Sequence, residues 1–205
     1  MKIREFEILL KDLPAFNLND VRKFAPDFHR QQLLDWKGKG YLRSLAGGYY
    51  LLADRIIDEA FLFMMANKIY EPSYISLETA LTYYKVIPES VLGVTSISSR
   101  KTQQFESTWG KFSYRSVSPK YLFGYTVIEI SPMKKFKMAK LEKAVLDYLY
   151  LNPNIKSSDD LEGLRWNKSQ LKDLMDNSIF IQYLKIFNKK ALNRRVDHLK
   201  EYLGA

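Results

Sequence analysis

The sequence predicts an α+β protein in two parts: an N-terminal winged helix-turn-helix over residues 1–52, then a mixed α/β domain over residues 53–205 with a small sheet read as antiparallel. Three observations lead there. Three short helical runs fill the first 40 residues, a glycine-flanked hairpin follows them directly, and past residue 90 helical periodicity gives way to β-branched and aromatic segments.

Ile3, Phe6, Ile8, Leu9 and Leu10 recur among charges at near-helical spacing, and Pro14 ends that run. Asn17, with Asp20 three places on, offers side-chain oxygens to the first free amides of LNDVRKFA, which Pro26 stops. Asp27 is the expected cap of FHRQQLLDWKG, a helix that turns Phe28, Leu33, Leu34 and Trp36 inward and Arg30, Gln31, Asp35 and Lys37 outward before Gly38 and Gly40. In GYLRSLAGGYYLL the strands 41–45 and 49–52 flank the turn Ala46-Gly47-Gly48. Helix, helix, helix, hairpin is the winged-helix order.

Residues 54–66 are apolar around most of a helix and are read as the bridge between the parts. Ser76 opens SLETALTYYKV, with Leu77, Ala80, Leu81 and Tyr84 on one face. VTSIS (94–98), KFSYRSV (111–117) and LFGYTVIEI (122–130) read as strands, separated by SRKTQQ and by Ser118-Pro119-Lys120. Residues 137–151 return to helix until Asn152-Pro153, and short helices are expected at 157–163, 167–177 and 188–203.

With 205 residues and 46% hydrophobic content the chain can bury a core, and no run reaches the length of a membrane span. The N-terminus carries Arg4, Glu5 and Glu7 within its apolar period and does not read as a secretory signal, so a cytoplasmic protein is expected, with no membrane partner. Without cysteine there is no disulfide, thiolate zinc site or cysteine nucleophile, and His29 and His198 are too few for a histidine-rich centre. No metal and no cofactor is expected. The charge is uneven: +3 over residues 1–52, neutral over 53–133 and +6 over 134–205, with a sequence pI near 9.5. Such a balance favours a polyanionic partner.

A winged helix reads duplex DNA by placing a helix in the major groove, where Arg pairs with guanine and Gln with adenine. Arg30, Gln31 and Gln32 occupy the first turn of the presumed recognition helix, and Lys37, Lys39 and Arg43 extend a basic edge suited to phosphate. Gln32 borders the buried Phe28 and Trp36 face; His29 is read as packing against the second helix. Further basic groups stand at Lys134, Lys135, Lys137 and Lys140, before a helix, and at Lys189, Lys190, Arg194 and Arg195. Either could enlarge a nucleic-acid footprint or lie on a solvated face. No phosphate loop, Gly-x-Ser-x-Gly elbow or His-Glu-x-x-His helix occurs. Asp54 and Asp58, four apart on the expected bridging helix, could hold a metal but lack a nucleophile or base, and Asp159-Asp160 reads as a cap, so no catalysis is expected.

YISLETALTYYKVIP (74–88), KFSYRSVSPKYLFGY (111–125) and MAKLEKAVLDYLYLNP (138–153) in this order resemble the AbiEi family of antitoxin transcriptional regulators. One family motif is matched at Ser76, Ala80 and Leu81, another at Ala139, Glu142, Lys143, Ala144 and Asp147, and the hairpin LAGGYYLL is similar as well. The resemblance covers about three quarters of the chain. It implies a repressor that binds inverted repeats at its own promoter, as a homodimer on the DNA, within a bacterial toxin-antitoxin phage-defence locus. It further implies antagonism of a nucleotidyltransferase-like toxin without a stable complex. Ser76, Glu78, Lys143 and Asp147 are read as a helix start and a polar brace rather than a site. The competing expectation is a protein-protein interaction module on a winged-helix scaffold without specific DNA binding.

Overall fold

The computed structural model describes residues 1–88, 92–132 and 134–204. Helices α1 (Ile3–Leu10), α2 (Leu18–Arg22) and α3 (Arg30–Gly38) precede a hairpin of β1 (Leu42–Ser44) and β2 (Tyr50–Leu52). Asn17 caps α2 as its chemistry suggests, accepting the Asn19 and Asp20 N–H groups at 2.8 and 3.1 Å, while Asp20 returns a bond to the Asn17 N–H. Asp27 does not cap α3; that helix begins three residues later, after His29, which has no capping bond. Around these helices Phe6 contacts Phe16, Phe28 and Trp36 with ring centroids 4.6–5.5 Å apart, an aromatic cluster that fixes how α3 sits.

The hairpin belongs to two cores at once. Leu42, Tyr50 and Leu52 join the aromatic cluster, whereas Leu45, Ala46 and Leu51 enter the larger core of the following region. Alternation along a strand sends neighbouring side chains to opposite faces, so a two-stranded ribbon can serve both sides. Its turn carries positive φ at Gly47 (+61°) and Gly48 (+80°), the requirement of a tight type I′ connection. A Cβ at Gly47 would lie 2.8 Å from Ile69 Cγ2, so the tip is seated against the body of the protein. Phe16 adds an isolated antiparallel bridge to Tyr50.

The remaining elements are α4 (Glu59–Ile69), β3 (Ser73–Ile75), α5 (Leu77–Tyr83), β4 (Gly93–Ser98), β5 (Gln103–Ser107), β6 (Gly110–Ser116), β7 (Tyr125–Ser131), β8 (Lys134–Ala139), α6 (Leu141–Leu151), α7 (Ser158–Glu162), α8 (Ser178–Phe187) and α9 (Lys190–Leu203). The strands form one sheet in the order β5-β6-β4-β3-β8-β7. It is mixed rather than antiparallel: β3 runs parallel to β8 and β4 parallel to β6, while the other neighbours are antiparallel. β5–β6 and β7–β8 pair as hairpins, β3 and β4 pair across the intervening α5, and the two parallel contacts arise where these units are brought side by side.

Several boundaries move for physical reasons. The bridging helix starts at Glu59, capped by Asp58 (2.8 Å to the Phe61 N–H), so Asp54 lies outside it and the expected helical Asp54/Asp58 pair does not form. β5 covers part of the segment read as a separator, and β3 and β8 escaped the sequence reading. The strand expected at 122–130 begins only at Tyr125, because a 3₁₀ turn precedes it. The helix expected from 137 begins at Leu141, since 134–139 is strand. Of the predicted helix 167–177 only a 3₁₀ turn, Lys168–Gln170, is present, and α8 follows where no helix was placed.

Candidate nucleic-acid interface

Helix α3 buries Leu33 and Trp36 and leaves Arg30, Gln31, Leu34, Asp35, Lys37 and Lys39 exposed. Arg30, Gln31 and Gln32 are its first three residues, at the end a groove-reading helix presents to base edges. They differ in freedom. Gln31 Nε2 donates to Asp35 Oδ1 at 2.9 Å, one turn on, while Gln32 Nε2 donates to the Met1 carbonyl at 2.8 Å and is only half exposed. Among the described residues Arg30, Lys37 and Lys39 have no ion-pair partner. His29 is exposed rather than packed against α2.

Arg43 is taken up by the fold. Its guanidinium donates to the Arg55 carbonyl and lies 5.4 Å from the centroid of the Trp109 ring. Arg55 in turn donates to the Lys11 and Leu13 carbonyls at 2.6 and 3.2 Å. These two arginines staple the first three helices to the sheet region, and no periodicity in the sequence marks them for that task.

Of the second basic group, Lys134, Lys135 and Lys137 lie on β8, and Lys140 is the residue before α6. Lys134 pairs with Asp58, whose carboxyl it holds below the usual range together with the Phe61 N–H. Lys135 pairs with Glu129 at 2.9 Å across the β7–β8 ladder. Lys137 has no ion-pair partner among the described residues, and its backbone N–H donates to Asn67 Oδ1 at 2.5 Å. In the third group Lys189, Lys190 and Arg194 are exposed, whereas Arg195 donates to the Leu149 carbonyl at 2.9 Å and is partly buried. Each of the three basic groups thus has some of its cations engaged within the fold, Arg43, Lys134, Lys135 and Arg195 among them.

The most polar interior feature joins residues far apart in sequence. Lys143 and Asp147, one turn apart on α6, form an ion pair with both side chains fully buried. Tyr74 and Ser76 donate to Asp147 Oδ2 at 2.9 and 2.8 Å, and Lys143 Nζ also donates to the Tyr74 hydroxyl at 2.8 Å. The rings of Phe123 and Phe187 cover the ammonium at 4.9 and 4.8 Å from their centroids. Burial pushes the Lys143 pKa down and that of the Tyr74 hydroxyl up. Gly124 (φ +72°) makes room for this packing, since a Cβ there would lie 3.0 Å from Lys143 Cγ. Ser76 therefore stands at the N-cap of α5 without capping it, its hydroxyl being spent on Asp147.

Among the described residues no three His, Cys, Asp or Glu side chains gather as a metal site, and no helix is long and apolar enough to cross a membrane. Asp160 closes a capping box with Ser157 at the start of α7. No family model and no curated protein matches the chain.

Proposed function

We propose that this protein is a DNA-binding transcriptional autorepressor and antitoxin of the AbiEi kind, with residues 1–52 as a winged helix-turn-helix and no catalysis or cofactor of its own. The observation that carries the reading is the outer side of α3: Arg30, Lys37 and the C-cap Lys39 stand exposed, with no ion-pair partner among the described residues, on a helix whose other side is locked by Phe6, Phe28 and Trp36. A rigid helix with free cations can enter a major groove without first breaking internal bonds. Gln31 can exchange its Asp35 bond for an adenine edge. The Phe16–Tyr50 bridge and the type I′ hairpin agree with a winged-helix plan. In this reading Arg43 is a staple, and the phosphate contacts fall to Lys37 and Lys39.

The test is fluorescence anisotropy with the duplex upstream of the protein's own reading frame. Arg30→Ala should cost about 1–3 kcal/mol of binding if Arg30 meets a base, and Lys37→Ala should lower the log–log salt slope by about 0.9. Unaltered binding in both variants would remove α3 from the interface. The antitoxin half is read by growth rescue: with the neighbouring gene's product expressed, the full-length R30A/K37A protein should still protect cells while failing to repress.

A second reading, an interaction module, is favoured by two adjoining hollows that share Lys11, Leu52 and Asp54, in which the exposed Ile8 (69%) and Ile56 (82%) sit among charged side chains. Ionic strength separates the two, because an apolar interface is nearly indifferent to salt and phosphate contacts are not.

A further inference from the structure

We propose that the cavity between the hairpin, the last turn of α4 and strand β8 is a binding site for a phosphate group. The cavity measures about 370 Å³, and its lining includes Tyr49, Asn67, Lys68, Glu71, Lys135 and Lys137. Lys68 and Lys137 have no ion-pair partner among the described residues, and Lys135 shares Glu129. Lys68 Nζ rests 5.5 Å from the centroid of the Tyr49 ring, which orders its long side chain beside the cavity. The second, independent observation is Asn67. It is 9% exposed, its Oδ1 is committed to the Lys137 N–H, and its Nδ2 has no hydrogen-bond partner among the described residues. A buried amide donor left over in a native fold calls for an acceptor, and the wall it belongs to carries three ammonium groups.

Three features oppose an anion here: the Glu71 carboxylate, the Asp20 carboxylate, which lies within electrostatic reach of Lys68 and Tyr49, and the partial negative charge at the C-terminal end of α4. Lys68, in that last turn, offsets the helix end; with Lys135 paired to Glu129, Lys137 is the lining cation that no carboxylate among the described residues neutralises. An oxyanion with several acceptor atoms suits the lysine ammonium groups, and a small shift of the Asn67 side chain, whose Nδ2 lies just beneath the cavity surface, would let it donate as well. A phosphate of the duplex backbone and a free phosphate share that chemistry. In the duplex form the inference rests on the DNA-binding reading; in the free form it does not.

The experiment uses the full-length protein, the K68A/K137A variant and Asn67→Asp. The aspartate keeps the acceptor for the Lys137 N–H and replaces the unpaired donor by an oxyanion that repels a phosphate, with Lys68 and Lys137 beside it to offset the cost of burying its charge. Thermal unfolding checks this: the N67D midpoint should stay within a few degrees of the wild type. The promoter duplex is titrated by anisotropy over a range of salt, and inorganic phosphate and pyrophosphate are titrated by ³¹P NMR.

If the ligand is a backbone phosphate, K68A/K137A lowers the salt slope by about 2 and N67D weakens the duplex tenfold or so, at every sequence alike. If it is a free phosphate, the ³¹P response of the wild type disappears in both variants while duplex binding is unchanged. That second outcome stands even if the wild type binds no duplex at all, so failure of the repressor reading is told apart from failure of the site. Duplex and ³¹P titrations that both variants leave at wild-type values overturn the proposal.

Discussion

In residues 1–52 the core is wholly apolar and aromatic, with Phe6 at its centre touching Phe16, Phe28 and Trp36, and the charged side chains of α3 stand in solvent. In the sheet region the core encloses Lys143 and Asp147 completely, together with Tyr74 and Ser76. The first arrangement leaves cations free to meet a partner. The second spends its charges on one another, and there they specify geometry: an ion pair in low dielectric is tolerated only when its remaining donors and acceptors are matched. A lysine in this chain therefore has no meaning by residue type alone, since Lys37 is available to a ligand and Lys143 is a structural part.

The contrast is broken most forcefully at the buried pair. Asp147→Ala leaves an ammonium without its counter-ion and three hydrogen bonds unmade, and should destabilise the protein by about 3–5 kcal/mol in urea denaturation. Replacing both partners, Lys143→Met with Asp147→Leu, should recover most of that loss, because the desolvation cost disappears with the charges. A single variant within about 1 kcal/mol of wild type would mean that water reaches the pair.

The two cores share the hairpin, and Leu51 tests whether they unfold together. It is fully buried and faces the larger core, while its strand neighbours Tyr50 and Leu52 face the aromatic cluster. Leu51→Ala should cost about 2–5 kcal/mol, and circular dichroism and the fluorescence of Trp36, read with Trp109 and Trp166 of the larger core replaced by Phe, should report one coincident transition. Separate midpoints would show that the two regions unfold independently despite the hairpin and the Arg43 and Arg55 staples that join them.

Alkaline pH probes the polar interior more gently. Burial raises the Tyr84 hydroxyl to about 12, and it donates to the Ala139 carbonyl at 2.9 Å. Because the folded value lies above the unfolded one of about 10, the contribution of this hydroxyl is complete below pH 10 and is lost as pH rises through 12. After allowance for its partial exposure the effect is on the order of 1 kcal/mol. Tyr84→Phe should flatten the fall in stability between pH 10 and 12, and a curve parallel to wild type would assign that fall to other groups.

The N-terminal elements were largely legible because local chemistry writes them: Asn17 with Asp20, the apolar spacing of Phe28, Leu33 and Trp36, and two glycines at a hairpin tip are short-range signals. The sheet was only partly so. β3 is three residues long and β8 is rich in lysine, Lys134-Lys135-Phe136-Lys137, so neither shows a strand's alternation clearly. Their identity comes from pairing with distant partners. The parallel register of β3 on β8 is likewise a long-range outcome. Basic groups could be found by counting, but which cations are free could not, since Arg43, Lys134 and Arg195 are claimed by Arg55, Asp58 and Leu149, each outside their own segment.

The finest comparison is between two residues in the same position of two helices. Asn17 and Ser76 are both N-caps by backbone geometry, yet Asn17 accepts two amides of its own helix and Ser76 donates instead to Asp147. Asn17→Ala should therefore lose only a cap, roughly 0.5–1 kcal/mol, and Asn17→Gly less still. Ser76→Ala removes a bond to a buried carboxylate and should cost more, about 1.5–3 kcal/mol, although both changes delete one small polar group. Equal losses in urea would mean that the Asp147 carboxylate finds another donor when the serine is gone. Loss of stability confined to the serine variant would trace the difference to where each side chain points: one serves the chain beside it, the other a residue 71 positions away.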